Sequence, residues 1–193
     1  MSVANSYASF TDLESKQNRG TDFDIIIRLK PSSNVAILAP HGGAIERGTS
    51  EIARQIAGDD FNLYLFEGLK QCDNYETLHL SSHLFDEPEC LSLISTTSIV
   101  VTIHGCNGKD ETVYVGGLSE SLKDEFVTAF KSEGIEAMTK GHKYPGKHPN
   151  NICNRGLTNE GVQVELTDTL RGTEAEKTVV KSIRNVLLKQ SCK

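Results

Sequence analysis

No apolar run in this chain approaches the roughly 20 residues that a membrane-spanning helix needs, so no membrane partner is expected. The opening stretch MSVANSYASFTDLESKQNRG has no apolar core segment and does not read as a secretory signal. The expectation is synthesis in the cytoplasm, with any extracellular role requiring release by another route, such as lysis. Basic charge is also scarce. A formal net charge of −6 argues against a general nucleic-acid binder, whose footprint is basic. CxxC pairs are missing too. Cys72, Cys90, Cys106, Cys153 and Cys192 are odd in number, and without a signal they favour reduced thiols over a disulfide framework. There are no internal repeats and no low-complexity segments.

What is present suits one soluble domain with a proper core: 193 residues, 37% hydrophobic and 24% charged. Residues 1–22 read as a polar N-terminal segment and 23–193 as a single α/β domain, expected to be a monomer. FDIIIRL (23–29) predicts a strand, PSSN a turn, and VAILA (35–39) a second strand. After Gly42-Gly43, Thr49 or Ser50 can cap a helix, SEIARQIAG, that Gly58 ends. Strands are expected at FNLYLFEG, LHLSS, IVVTIH, TVYVGG, IEAMT and GVQVELT. EPECLSLIST predicts a helix with Pro88 in its first turn. SESLKDEFVTAFKSEG is amphipathic, with Leu122, Phe126, Val127 and Phe130 on one face. The last helix runs from about Thr173 to Lys189 and turns Val179, Val180, Ile183, Val186 and Leu187 inward. Strands that are apolar throughout, alternating with helices, indicate an open α/β sheet covered on both faces. The short turn before TVYVGG makes that sheet mixed.

Open α/β sheets carry their sites at strand carboxyl ends, and two histidines stand there. His41 ends one apolar run and is followed by two glycines, which let the chain turn sharply. Glu46 can curl back to the same point. Its bland reading is a carboxylate favoured by a helix N-terminus. His104 ends a second apolar run, before Gly105. Two imidazoles and a carboxylate are a ligand set that zinc accepts, and catalytic zinc keeps a position open for water. In GVQVELT, strict alternation puts Val162, Val164 and Leu166 on one face and Gln163, Glu165 and Thr167 on the other. A carboxylate in a central strand is costly unless paired or used. Glu165 is thus either a general base beside the metal or part of a solvated strand face. Glu67, at another strand end, is an outside candidate for a supporting partner. His79 and His83 in HLSSH have the spacing of helical zinc ligands, but serines replace the glutamate of HExxH, and a pocket-wall or structural role is expected. Cys106 is either a nucleophile or a buried small thiol.

Between Glu136 and Glu160 there is no acidic residue, while Lys140, Lys143, Lys147, Arg155, His142 and His148 fall there. This is either a solvated loop or a wall that attracts a carboxylate-rich substrate. On the second reading Arg155 grips a carboxylate, with Asn154, Lys147 and His142 as further substrate contacts.

HGGAIERGT, TIHGC and NRGLTNEGVQVELT together resemble the phage-type poly-γ-glutamate hydrolases of Bacillus phages and related prophage genes. The resemblance runs from about residue 23 onward. It implies a zinc-carboxypeptidase-like fold, one zinc ion, and endo-cleavage of γ-linked polyglutamate, the polymer of Bacillus capsules and biofilms. It also implies release by lysis. Carried over residue by residue, His41, Glu46 and His104 match zinc ligands, and Glu165 matches the general base of the carboxypeptidase group. In place of the His-x-x-Glu typical of carboxypeptidases, four residues separate His41 from Glu46. Two rival readings are a small-substrate zinc amidase or carboxypeptidase of N-acyl amino acids, and a non-catalytic binder of acidic polymer.

Overall fold

The computed structural model describes residues 7–190. They build one seven-stranded mixed sheet between two layers of helices, as expected from the alternating pattern. In chain order the elements are α1 (Phe10–Glu14), β1 (Phe23–Arg28), β2 (Val35–Gly43), α2 (Thr49–Ala57), β3 (Asn62–Gly68), α3 (Asn74–Leu78) and α4 (Pro88–Ile94). Then come β4 (Ile99–Cys106), β5 (Thr112–Gly117), α5 (Glu120–Ser132), β6 (Glu136–Met138), β7 (Val162–Thr167) and α6 (Glu174–Gln190). The strand order is β1-β3-β2-β4-β7-β5-β6. The four central strands, β3, β2, β4 and β7, run parallel, while β1 and β5 pair antiparallel with β3 and β7.

The short turn before TVYVGG does reverse the chain, so that β5 runs against the central strands and the sheet is mixed, but the neighbour of β5 is not its predecessor in sequence. β5 does not pair with β4; the last strand, β7, inserts between them. In the same way β3 inserts between β1 and β2. Burial on both faces explains the near-continuous apolar runs of the central strands. One face packs Ile37, Ile103 and Val164 against α2, α5 and α6. The other packs Leu38, Tyr64 and Val100 against Phe10, Leu78, Leu93 and Ile152.

Three details differ from the sequence reading, while the irregular stretch before β7 is as expected. Phe10 and Leu13, inside the polar opening stretch, are buried, with Phe10 edge-on to Phe23 and Phe66. LHLSS is no strand: α3 ends at Leu78, and Leu78 and Leu80 are buried under the sheet face without pairing to it. Thr49 and Ser50 do not cap α2, whose N-cap is Gly48. Their hydroxyls serve the preceding turn instead, Thr49 bonding the carbonyls of His41 and Glu46, and Ser50 accepting from the Gly43 N–H. The stretch 140–156 is irregular except for a short 3-10 turn, Ile152–Arg155. Cys192 lies outside the described residues.

Candidate active site

A bulge in β2 creates the site. Between Ala39 and Gly42 the strand gains one residue against β3, so Ala39 faces Leu65 while Gly42 already faces Glu67. Pro40, which has no N–H to give a ladder, sits in this irregular stretch. One extra residue reverses the alternation of side chains. Without it His41 would share the α2 face with Ile37 and Ala39; with it, His41 lies on the face of His104. Gly43 then turns the chain at φ +61, and the Glu46 N–H donates to the His41 carbonyl at 2.9 Å. This closed turn brings the Glu46 carboxylate back over His41.

Three ligand atoms converge there. His41 Nδ1 lies 2.9 Å from Glu46 Oε1 and 3.1 Å from His104 Nδ1, and His104 Nδ1 is 3.5 Å from Glu46 Oε2. Zinc bonds of about 2.0–2.1 Å in a tetrahedron imply ligand atoms about 3.3 Å apart. The observed spacing matches this edge, so the donor set fits one zinc ion. The far ring nitrogens orient the imidazoles. His41 Nε2 is 2.9 Å from the Leu80 carbonyl and must donate to it, which leaves the Nδ1 lone pair free for a metal. His104 Nε2 faces the Ser82 hydroxyl at 3.4 Å. Glu46 Oε2 also accepts the Gly105 N–H at 2.8 Å. Burial alone would raise the Glu46 pKa, but the charges and hydrogen bonds of His41 and His104 outweigh it and hold the carboxyl well below the usual range.

Glu165 stands beside this cluster. It is the register partner of His104 on the adjacent strand and is 6% exposed, on the face shared with Gln163 and Thr167. Gln163 Nε2 donates to its Oε1 at 2.7 Å, and Asn151 fixes Gln163 in turn. Burial pushes the Glu165 carboxyl up to about 7, with His104 pulling it down and Glu46 adding to the rise. A carboxyl with that pKa is matched to accepting and returning a proton near neutral pH.

Of the other candidates, His79 lies against the cluster, with its Nε2 3.9 Å from Glu46 Oε1, and the rest take other places. Glu67 supports the turn: it accepts from Ser50, which holds the Gly43 N–H, and it pairs with Arg54 at 3.0 Å. The His79 ring stacks on His41 at 4.1 Å and on Tyr75 at 4.5 Å. Burial first, then the neighbouring charge of His41, pushes its pKa down to about 3. His83 packs against His148, 5.2 Å between ring centres, at the edge of the same loop. His142 stacks on Tyr114, the partner of Glu165 on β5, and Lys147 is exposed nearby on the same segment. Asn154 and Arg155 are not brought to the cluster. The Asn154 amide holds Leu118, Gly161, Gly146 and His148 by their backbones, which uses all its capacity. Arg155 turns toward the Phe85 carbonyl, and its charge lowers the pKa of buried Cys90 against the larger rise from burial.

Sequence reasoning missed two residues. Arg171 bonds the Leu166 and Cys106 carbonyls, tying the ends of β7 and β4, and its charge lowers Glu165 slightly. The signal was a lone arginine four residues after VELT. Tyr144 was the second. Its ring lies 5.7 Å from Tyr114, and its hydroxyl meets the Cys106 thiol. Burial and Glu165 push the Cys106 thiol up to about 12, with Tyr144 opposing, which disfavours the thiolate that a nucleophile needs.

Fold and donor set together give an α/β protein whose strand ends gather a buried group, His41, Glu46 and His104, able to hold a metal ion, with the Glu165 carboxylate beside it. The chain belongs to the poly-gamma-glutamate hydrolase family, whose sequence profile matches residues 7–186. It is 34% identical over 167 residues to UPF0714 protein YndL of Bacillus subtilis (strain 168), covering 86% of this chain and 65% of YndL. The structure of a bacteriophage poly-gamma-glutamate hydrolase superposes with a TM-score of 0.91 at 26% identity, covering 97% of this chain and 98% of that one. Zinc-free apo YndL superposes with a TM-score of 0.87 at 29% identity, over 95% and 98% of the two chains. Among the described residues no helix is long and apolar enough to cross a membrane.

Proposed function

We propose that this chain is a zinc-dependent hydrolase that cuts γ-glutamyl amide bonds within poly-γ-glutamate. The observation that carries the reading is the convergence of His41, Glu46 and His104 on one point, with Glu165 next to His104 in register. The match to a family defined by this polymer, and the likeness to a zinc-free form of YndL, support it. His41 Nδ1, Glu46 and His104 Nδ1 would hold one zinc ion, which would supply a Lewis acid and acidify a water. Glu165 takes the proton of the attacking water on its carboxylate and returns it to the departing amine. Gln163 keeps that carboxylate turned toward the cluster. His142 and Lys147 draw the free α-carboxylates of flanking residues along the segment that has no acidic group. An endo mode, a phage origin and a role in clearing host polymer after lysis complete the proposal, in keeping with the bacteriophage relative.

The test pairs metal analysis of purified protein with polymer cleavage. We expect about one zinc per chain, a rapid fall in polymer length with intermediate sizes appearing first, and loss of both with a chelator. Monomer released from the start would favour an exo-acting or small-substrate enzyme. Metal held without any cleavage would favour a binding protein.

A further inference from the structure

Tyr144 is held against the sheet by its own backbone. Its backbone lies directly on β5: a Cβ on Gly116 would sit 2.5 Å from the Tyr144 carbonyl oxygen and 2.7 Å from that of Pro145. The Gly117 N–H donates to Pro145 O at 3.0 Å, locking the segment down. The Tyr144 hydroxyl, however, meets Cys106 on β4. The sheet order there is β4-β7-β5, so the ring must cross β7. It crosses on the face that carries Glu165 and Thr167, the latter being the register partner of Cys106. A half-buried phenol therefore reaches from β5 toward Cys106, its ring 5.7 Å from that of Tyr114, the register partner of Glu165, and within reach of the Glu165 charge. Burial, with Cys106 and Glu165 adding to it, raises its pKa well above the usual tyrosine range, so it stays a hydrogen-bond donor.

Cys106 is a poor permanent partner for that donor, since a thiol sulfur accepts weakly. Exposed lysines 140, 143 and 147 are available for α-carboxylates, whereas the hydroxyl beside Glu165 is next to the amide that reacts. We propose that Tyr144 is a further catalytic residue whose hydroxyl leaves Cys106 and donates a hydrogen bond to the carbonyl oxygen of the scissile γ-amide as negative charge gathers there. This rests on the hydrolase reading given above.

Tyr144→Phe deletes only the hydroxyl. With zinc-loaded protein and poly-γ-glutamate, new amine ends report the rate. Removing one such donor costs about 10²–10³ in kcat, so that loss is expected, with KM within about threefold. Zinc content and unfolding midpoint should match wild type. Wild-type kcat in the variant overturns the proposal, as does a rise in KM alone. Loss of zinc or of the fold marks Tyr144 as a structural tie and overturns it too. Cys106→Ala separates the roles again: Cys106 lies outside the reacting groups, and its removal should leave kcat within about threefold. An equal loss in both variants means that the pair acts only as a strut. Wild-type protein that does not cut the polymer removes the hydrolase reading and this inference with it, whereas active wild type beside fully active Tyr144→Phe removes the inference alone.

Discussion

His104 and Glu165 face each other as register partners on the parallel strands β4 and β7. Neighbouring strands stand about 4.8 Å apart, so the roles proposed for the two, ligand and base, would be held at working separation by the sheet itself. Loops are not needed to set this distance. The strand that brings Glu165 is the last in sequence and enters between β4 and β5, so the site is complete only when the sheet closes. His104 and Glu165 thus share the rigidity of the best-buried strands.

Replacing that base separates binding from chemistry. Glu165→Gln keeps the shape and accepts the same neighbours but cannot take a proton. We expect near-wild-type zinc content and a loss of turnover of about 10²–10⁴, the range for a general base. Polymer viscosity gives the rate and metal analysis the occupancy. A variant that cleaves at the wild-type rate removes Glu165 from the mechanism.

A metal held by this cluster would be coupled to the fold through the turn that carries His41 and Glu46. His104→Ala should bring zinc content close to zero. A chelator should lower the unfolding midpoint of wild type and leave that variant unmoved. Free zinc at about 1,000 times its Kd contributes about 4 kcal/mol. Affinity should fall with pH, because the imidazoles and the carboxylate bind zinc only when deprotonated. A midpoint in wild type that ignores the chelator would count against a resident metal.

Much of this was legible in the residues. The period of two in VQVELT put Gln163, Glu165 and Thr167 on one face, and the structure agrees. The amphipathic helices and the mixed, doubly covered sheet follow from local patterns of the same kind. Strand order does not. The insertions of β3 and β7 between sequence neighbours depend on long-range pairing that no local period encodes. The position of His41 was hidden for another reason: unbroken alternation from Ala39 turns it away from His104, and only the bulge at Pro40 turns it back. The basic stretch drew attention to Arg155 and Asn154 by charge and type alone. What Asn154 does is set by four backbone partners from distant turns.

Ionisation of Glu165 should be visible in stability. In the metal-free fold it titrates near 7 instead of 4.5, because it is buried. A raised folded pKa means that the folded state holds the proton more tightly than the unfolded one. The associated stability is fully present below about 4.5 and is lost as pH rises through about 7. With chelator present, Glu165→Gln should therefore be more stable than wild type at about pH 8, by on the order of 1–3 kcal/mol, and the gap should shrink toward about pH 5. Denaturant titrations at both values measure it, and a gap that does not change with pH would refute the burial argument.

Thiol chemistry gives an independent check on the interior. Cys72 is exposed, although Asp73 raises its pKa, whereas burial raises Cys90, Cys106 and Cys153. Since the thiolate is the reactive form, brief alkylation at neutral pH should label Cys72 before those three. Peptide mapping reads the order directly. Fast labelling of Cys106 with matching loss of activity would revive it as a nucleophile.

Gly43 carries the turn that closes the metal cluster, and two effects bear on it. Its φ of +61 disfavours any side chain, and a Cβ there would lie 2.5 Å from the Gly68 carbonyl oxygen. Gly20 offers the control, with φ +84 but nothing within 4 Å of its Cβ position. Left-handed backbone at a non-glycine residue costs about 1–3 kcal/mol, and Gly20→Ala should show only that. Gly43→Ala should lose more, because backbone on β3 must move to admit the methyl group. That movement shifts His41 and Glu46 against each other, so zinc content should fall in Gly43→Ala and hold in Gly20→Ala. Equal destabilisation with zinc retained in both would mean that the approach of β2 to β3 does not set the ligand geometry.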